Sequence, residues 1–75
     1  MANMKEYFFS IYLSYDEFLP YYQGGVEFFQ VKTAQGLTVR FPAMHLRNFI
    51  TPTGISGQFV LTTENNKFKS LVKVN

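Results

Sequence analysis

Large aromatic side chains are the main material from which this chain can build a hydrophobic core. Nine Phe and five Tyr occur among 75 residues, whereas Cys and Trp are absent and His occurs once. A chain of this length buries only about 60% of the surface that its unfolded form exposes. Disulfides and thiolate zinc sites, which often support small domains, require cysteine. The sequence therefore predicts one domain over residues 1–75, held together either by a dense aromatic core or by a homodimer that hides part of the rings.

The charged residues divide the chain into an acidic half and a basic half. Residues 1–31 carry one Lys against four acidic residues, and residues 32–75 carry six Lys or Arg against one Glu. The net charge of +2 is mild by comparison. This distribution predicts either an acidic and a basic face on one domain or charge complementarity between two chains.

The alternation of residue types with a period of two, which is clear in the first, third and fourth cases, is typical of strands, and five strand segments are predicted. They are residues 7–13, 26–33, 37–41, 55–62 and 68–74. Two short turn sequences, Ala34-Gln35-Gly36 and Asn65-Asn66, predict that the second and third strands and the fourth and fifth strands form antiparallel hairpins. Gly57, inside the fourth strand, predicts a bulge or the close approach of another backbone segment.

The first strand has apolar residues on both of its faces. Phe9 and Ile11 fall on one face, and Phe8 and Tyr12 fall on the other. If one face forms the core, the other needs a cover, which the following helix or a second subunit can provide.

A capping box marks the start of that helix. Ser14 stands three residues before Glu17, so each side chain can bond to the backbone amide of the other residue. The helix is therefore predicted to begin at Tyr15. Pro20 has no amide hydrogen and disturbs a helix interior, so we expect a short or kinked helix that ends at Tyr22.

The element order predicts an α+β fold dominated by strands. A second helical segment is expected at residues 43–49, because Pro42 suits the first turn of a helix and Leu46, Phe49 and Ile50 can face inward. The order is then strand, helix, strand, strand, helical turn, strand, strand. We expect a curved five-stranded antiparallel sheet or a small, partly open barrel of the SH3-like or OB-like kind.

Several short stretches, in their order and spacing, resemble a known family. They are Tyr7-Phe8-Phe9-Ser10, Leu13-Ser14-Tyr15, Tyr21-Tyr22-Gln23-Gly24, Arg40-Phe41-Pro42-Ala43, Leu46-Arg47, Thr53-Gly54-Ile55, Gly57-Gln58-Phe59 and Asn66-Lys67-Phe68. The chain resembles the short bacterial proteins grouped as domain of unknown function 2835, over nearly its whole length. The resemblance implies a complete, small bacterial protein of unknown function, and it brings no activity, substrate or binding residue.

The residues that catalysis and metal binding use are scarce. His45 has no second His or Cys to act with, and no nucleophile motif surrounds any Ser. Asp16 and Glu17 are adjacent on a helix, where neighbouring side chains do not face each other. We therefore expect no enzyme activity, no metal and no cofactor.

The basic half contains the candidate contacts to an anionic ligand. Arg40, Arg47, Lys67 and Lys69 lie beside or near Phe residues, and proteins that bind single-stranded nucleic acid combine cations with rings. These four residues are the candidate nucleic-acid or anion contacts, and Arg40 with Arg47 also suits a cyclic dinucleotide or another anion. The alternative is that Lys67, Lys69 and Lys73 share the solvent-facing side of a terminal strand and prevent edge-to-edge aggregation.

Four tyrosines around the first strand and helix are the candidate protein interface: Tyr12, Tyr15, Tyr21 and Tyr22. Tyr combines a large contact area with a polar tip, which suits interfaces, although packing in the core explains such residues equally well.

The expected function is a non-catalytic interaction module of unknown partner that can self-associate into a homodimer. The alternative is a small β-barrel that binds single-stranded nucleic acid. The longest apolar run, residues 7–13, is too short to span a bilayer, which takes about 20 residues. It also lacks a signal-peptide cleavage site, so we expect a cytoplasmic protein without a membrane anchor.

Overall fold

The computed structural model describes residues 3–75, and these residues form five strands, one α-helix and one 3-10 helix. The element order is the predicted one. The elements are β1 (Met4–Leu13), α1 (Tyr15–Tyr22), β2 (Phe28–Lys32), β3 (Thr38–Pro42), the 3-10 helix (Ala43–Phe49), β4 (Ile55–Glu64) and β5 (Lys67–Lys73).

The strands form two separate antiparallel sheets. The larger has the order β1-β4-β5, and the smaller is the β2-β3 hairpin. β1 and β4 pair along their whole lengths, from Met4 opposite Glu64 to Leu13 opposite Ile55. Both predicted hairpins are confirmed, and the α+β class holds. The prediction of a single five-stranded sheet or a partly open barrel is wrong.

The two sheets stay separate because the hairpin meets β1 through a loop instead of a strand. The amide of Ala34 donates to the carbonyl oxygen of Phe8 at 2.7 Å. The side-chain amide of Gln35 donates to the carbonyl oxygen of Glu6 at 3.1 Å. No continuous ladder of backbone hydrogen bonds joins β1 to the hairpin in residues 3–75. The inner face of the smaller sheet packs instead on the larger sheet.

Aromatic rings fill the space between the two sheets. The ring of Phe9 on β1 lies 5.9 Å from that of Phe41 on β3 and 6.2 Å from that of Phe59 on β4, measured between centroids. Rings at these separations stabilise a core beyond the area that they bury. The buried apolar residues are Phe9, Ile11, Phe18, Phe29, Phe41, Ala43, Leu46, Ile55, Phe59 and Leu61. The predicted aromatic core is therefore present within one chain.

The predicted capping box starts α1 at Tyr15, as expected. The amide of Glu17 donates to the Ser14 hydroxyl oxygen at 3.1 Å, and the amide of Ser14 donates to the Glu17 carboxylate at 2.9 Å. These bonds to Ser14 lower the pKa of Glu17 from its ordinary value. Pro20 lies inside the helix, and the helix ends at Tyr22.

Gly57 confirms the predicted close approach. Its φ is +144°, and a Cβ atom there would lie 2.5 Å from the carbonyl oxygen of Asn75 and 2.6 Å from Cε of Lys73. Only glycine leaves room for the end of the chain to lie this close beside β4, where Asn75 and Val74 bond to the backbone of Gln58.

A β-bulge changes the direction of the side chains of β5. Thr63 pairs with Phe68, but Thr62 pairs with Ser70, so Lys69 is an extra residue on β5. Lys67 and Lys73 therefore point to opposite faces of the sheet, and the prediction that Lys67, Lys69 and Lys73 share one face is wrong.

Candidate interaction sites

The outward side of the three-stranded sheet carries an apolar row across its centre. Phe8 on β1 lies opposite Val60 on β4, which in turn lies opposite Val72 on β5. Phe8 is 46% exposed and Val72 is 51% exposed, whereas the neighbouring Phe9 faces inward and is buried. We call this surface the outer face. Its apolar members are Met4, Phe8, Tyr12, Val60, Val72 and Val74.

The surroundings of the apolar row are mostly neutral. Phe8 and Val74 line a hollow of about 180 Å³ together with the polar residues Ser10 and Gln58. At the end of the sheet near the β4–β5 turn, Lys69 forms an ion pair with Glu64 at 3.1 Å. Charges are thus concentrated at one end of the outer face.

The helix does not cover the outer face. The buried Phe18 of α1 packs in the hydrophobic core, which lies on the opposite side of the larger sheet. No element of residues 3–75 shields Phe8, Tyr12 or Val72 from solvent. The sequence allowed either the helix or a second subunit as the partner of this face. Within the described part of the chain, the helix does not have that role.

A second apolar surface surrounds a cleft between the end of α1, the start of β2 and the 3-10 helix. The cleft has a volume of about 340 Å³. We call it the Arg47 cleft, and its lining includes Val26, Glu27, Phe28, Pro42, Met44 and Arg47. Val26, Phe28 and Met44 are all exposed, so apolar side chains face water at this opening.

Arg47 is held at the C-terminal end of α1. Its Nη2 atom donates to the carbonyl oxygen of Tyr22 at 2.8 Å, and its Cζ atom lies 5.1 Å from the centre of the Tyr22 ring. The last turn of α1 has no basic residue of its own. Arg47 therefore supplies from another element the positive charge that the end of a helix favours.

The four predicted anion contacts fall into two pairs. The Cζ atom of Arg40 lies 4.8 Å from the centre of the Phe28 ring, and Phe28 lines the cleft together with Arg47. Lys67 and Lys69 lie on β5 in the other sheet, where Lys69 pairs with Glu64. No described contact or cleft joins the two pairs. The sequence interpretation grouped the four residues because each lies beside or near a Phe, and it did not predict this separation.

The four predicted interface tyrosines also do not form one cluster. Tyr12 is 71% exposed on the outer face, and Tyr15 lines a shallow cleft with Pro52. Tyr21 is half-buried and packs edge-on against Phe29 at 5.4 Å. Tyr22 lies beneath Arg47. Of these four tyrosines, Tyr12 alone belongs to the outer face. Tyr21 packs against the core, which was the alternative interpretation of these residues.

His45 packs against an aromatic ring. Its imidazole lies parallel to the ring of Phe68, with centroids 3.7 Å apart and planes 6° apart. The stack attaches the 3-10 helix to β5. Within residues 3–75, no three His, Asp or Glu side chains are grouped so that they could hold a metal ion. No helix in the same part of the chain is long and apolar enough to cross a membrane.

The sequence interpretation missed two features of these sites. Glu27 and Arg47 are 20 positions apart in the chain, and only the fold brings them to one cleft. Gln35 appeared to be an ordinary turn residue, yet its side chain bonds to the edge of β1. Phe28 had a visible signal, because it precedes the inward-facing Phe29 on a strand and so must point outward.

Comparison with known families and proteins gives one match. The model of the family described as "Protein of unknown function (DUF2835)" matches residues 5–74. No curated protein and no solved structure matches the chain significantly.

Proposed function

This chain belongs to the DUF2835 family, a family of unknown function, and we propose that it is a non-catalytic interaction module that self-associates through its outer face. The observation that carries the proposal is the apolar row formed by the exposed Phe8 and Val72 with the half-buried Val60 between them. An antiparallel sheet that packs one face on the core normally presents polar residues on the other face. An apolar row at the centre of that second face is typical of an interface.

The shape of the outer face suits a second copy of the same chain. A two-fold axis through the central row would place Phe8, Val60 and Val72 of one copy against the same residues of the other. Such an interface is self-complementary by symmetry. Two sheets pack face to face in this way at a separation of about 10 Å, which apolar side chains fill.

The charges of the outer face favour an antiparallel arrangement of the two copies. Glu6, Glu64 and Lys67 lie towards one end of the sheet, and the opposite end carries Tyr12 and Ser56. When the copies run in opposite directions, the charged end of each meets the uncharged end of the other. Like charges then do not oppose each other, and the Glu64–Lys69 ion pair stays at the solvated rim.

The test of self-association is the mass of the protein in solution. Light scattering across a range of concentrations is expected to give twice the chain mass of 8.7 kDa. A mass of one chain at every concentration would refute self-association.

A second candidate function, binding of single-stranded nucleic acid, is favoured by the two arginine–ring pairs. Arg40 lies over Phe28 and Arg47 lies over Tyr22, so two cations and two exposed rings are close to one cleft. Binding of this kind weakens as salt concentration rises, because phosphate contacts release counterions. A labelled single-stranded oligonucleotide that shows no salt-sensitive change in anisotropy with this protein would exclude this candidate.

A further inference from the structure

We propose that the Arg47 cleft binds a free α-amino acid with an apolar side chain, whose ammonium group faces Glu27 and whose carboxylate faces Arg47. The cleft lies away from the outer face, so this inference goes beyond self-association and does not depend on it.

The size and walls of the cleft suit one apolar side chain. Its volume of about 340 Å³ lies at the lower end of the range of small-molecule sites. Val26, Phe28 and Met44 line it, and they are 41%, 45% and 62% exposed. A bound aliphatic or aromatic side chain would remove these apolar groups from water, and the flexible Met44 would adapt to its shape.

The two charges of the cleft are opposite in sign and are not paired with each other. Glu27 and Arg47 both line the cleft. The one ion pair within 4 Å in residues 3–75 is that between Glu64 and Lys69. Arg47 uses Nη2 for the carbonyl oxygen of Tyr22, which leaves other guanidinium N–H groups for a carboxylate. A ligand that carries both charges satisfies both residues.

Backbone hydrogen bonds hold the walls of the cleft in place. The amide of Ala43 donates to the carbonyl oxygen of Glu27 at 2.9 Å, which fixes the start of β2 to the 3-10 helix. The amides of Gly25 and Val26 both donate to the carbonyl oxygen of Pro20, at 3.0 Å and 3.2 Å. The cleft is therefore formed before a ligand arrives, which lowers the entropic cost of binding.

Glu27 makes a free amino acid a better ligand for this cleft than a nucleic acid or a peptide. A polyanion places several negative charges near the carboxylate of Glu27, which repels them. A peptide terminus carries either the ammonium or the carboxylate, but a free amino acid carries both on one carbon atom. The pair formed by Glu27 and Arg47 therefore favours the free amino acid.

The experiment is a titration of the isotope-labelled protein with L-leucine, L-phenylalanine and L-methionine, followed by amide chemical shifts. Shifts are expected in residues 21–28 and 43–47. Glu27→Gln is expected to weaken binding about tenfold, because the amide oxygen still accepts from the ammonium group but the attraction between opposite charges is lost. Glu6→Gln, which removes an exposed carboxylate on the other sheet, is the matched control and is expected to bind as the wild type does.

Ligand analogues decide whether both charges are recognised. N-acetyl-L-leucine lacks the ammonium group and L-leucinamide lacks the carboxylate, so each is expected to bind about tenfold more weakly than L-leucine. Equal binding of either analogue, or no shift in the cleft with any of the three amino acids, would overturn the proposal. Cleft shifts with an oligonucleotide alone would also overturn it and would favour the nucleic-acid candidate.

The same titration on Val72→Lys, a variant designed to be monomeric, keeps the two proposals distinct. Binding by that variant is expected to equal binding by the wild type, because Val72 lies on the outer face. A variant that is monomeric and binds no amino acid would contradict the independence of the two sites.

Discussion

The Nε2 atom of Gln35 lies 3.1 Å from the carbonyl oxygen of Glu6 and donates a hydrogen bond to it. The Oε1 atom of the same side chain accepts a longer bond, of 3.5 Å, from the amide of Phe8. One side-chain amide thus takes the place of a strand backbone at the edge of β1. Such a cap satisfies backbone groups that would otherwise form an exposed sheet edge.

Gln35→Glu is expected to weaken this cap, since a carboxylate cannot donate to the Glu6 carbonyl oxygen. We expect the free energy of unfolding to fall by about 1 kcal/mol. Gln30→Glu, at an exposed position on β2, is the matched control. Urea unfolding measures both variants, and an equal effect of the two would contradict the role of Gln35.

Gly57→Ala is expected to destabilise the protein, because its φ of +144° disfavours any side chain and a Cβ atom would meet the carbonyl oxygen of Asn75. We expect a loss of about 2 kcal/mol or more. The control is Gly25→Ala, where a Cβ atom meets only the carbonyl oxygen of Pro20 at an ordinary 3.5 Å. Thermal unfolding that ranks Gly25→Ala as the more harmful change would refute this account of Gly57.

Glu17 makes the stability of the protein depend on pH in the acidic range. The bonds to Ser14 lower the pKa of Glu17 in the folded state from the ordinary value of 4.5. A group with a lowered pKa stabilises the folded state above its unfolded pKa, and this contribution is lost as the pH falls through the folded pKa. Glu17→Gln keeps an acceptor for the capping box but has no charge to lose.

We therefore expect the wild type to lose more stability than Glu17→Gln as the pH falls below about 4.5. Denaturant unfolding of both proteins at a series of pH values measures the difference. If the difference in the free energy of unfolding between the two proteins stays constant from neutral to acidic pH, protonation of Glu17 is not coupled to folding.

Local signals in the sequence predicted the elements well. Alternation placed Phe9 and Phe8 on opposite faces of the first strand, and the bonds between Ser14 and Glu17 need only neighbouring residues. The left-handed turn at Asn65-Asn66 also follows from local backbone preferences. These features depend on short stretches of chain, so short-range patterns predict them.

The arrangement of the sheets depended on contacts that alternation does not encode. Whether the β2–β3 hairpin joins β1 by its edge or packs on it by its face is decided by rings distant in sequence, such as Phe9 and Phe41. The bulge at Lys69 inverted the side chains that follow it, and the break in alternation after Phe68 was not interpreted as a bulge. The sequence also did not predict that the opposite charges of Glu27 and Arg47 line one cleft, because these residues are distant in the chain.

The central claim is that the outer face joins two copies of this chain, and Val72→Lys tests it most directly. Val72 is 51% exposed, so a lysine there leaves the core intact and places a charge in the proposed interface. Leu37→Lys is the matched control, because Leu37 is 53% exposed and lies outside both the outer face and the Arg47 cleft.

Sedimentation velocity, with circular dichroism to confirm folding, distinguishes the variants. We expect the wild type and Leu37→Lys to sediment as dimers and the folded Val72→Lys variant to sediment as a monomer. A Val72→Lys variant that remains dimeric, or a wild-type protein that is monomeric throughout, would contradict the claim.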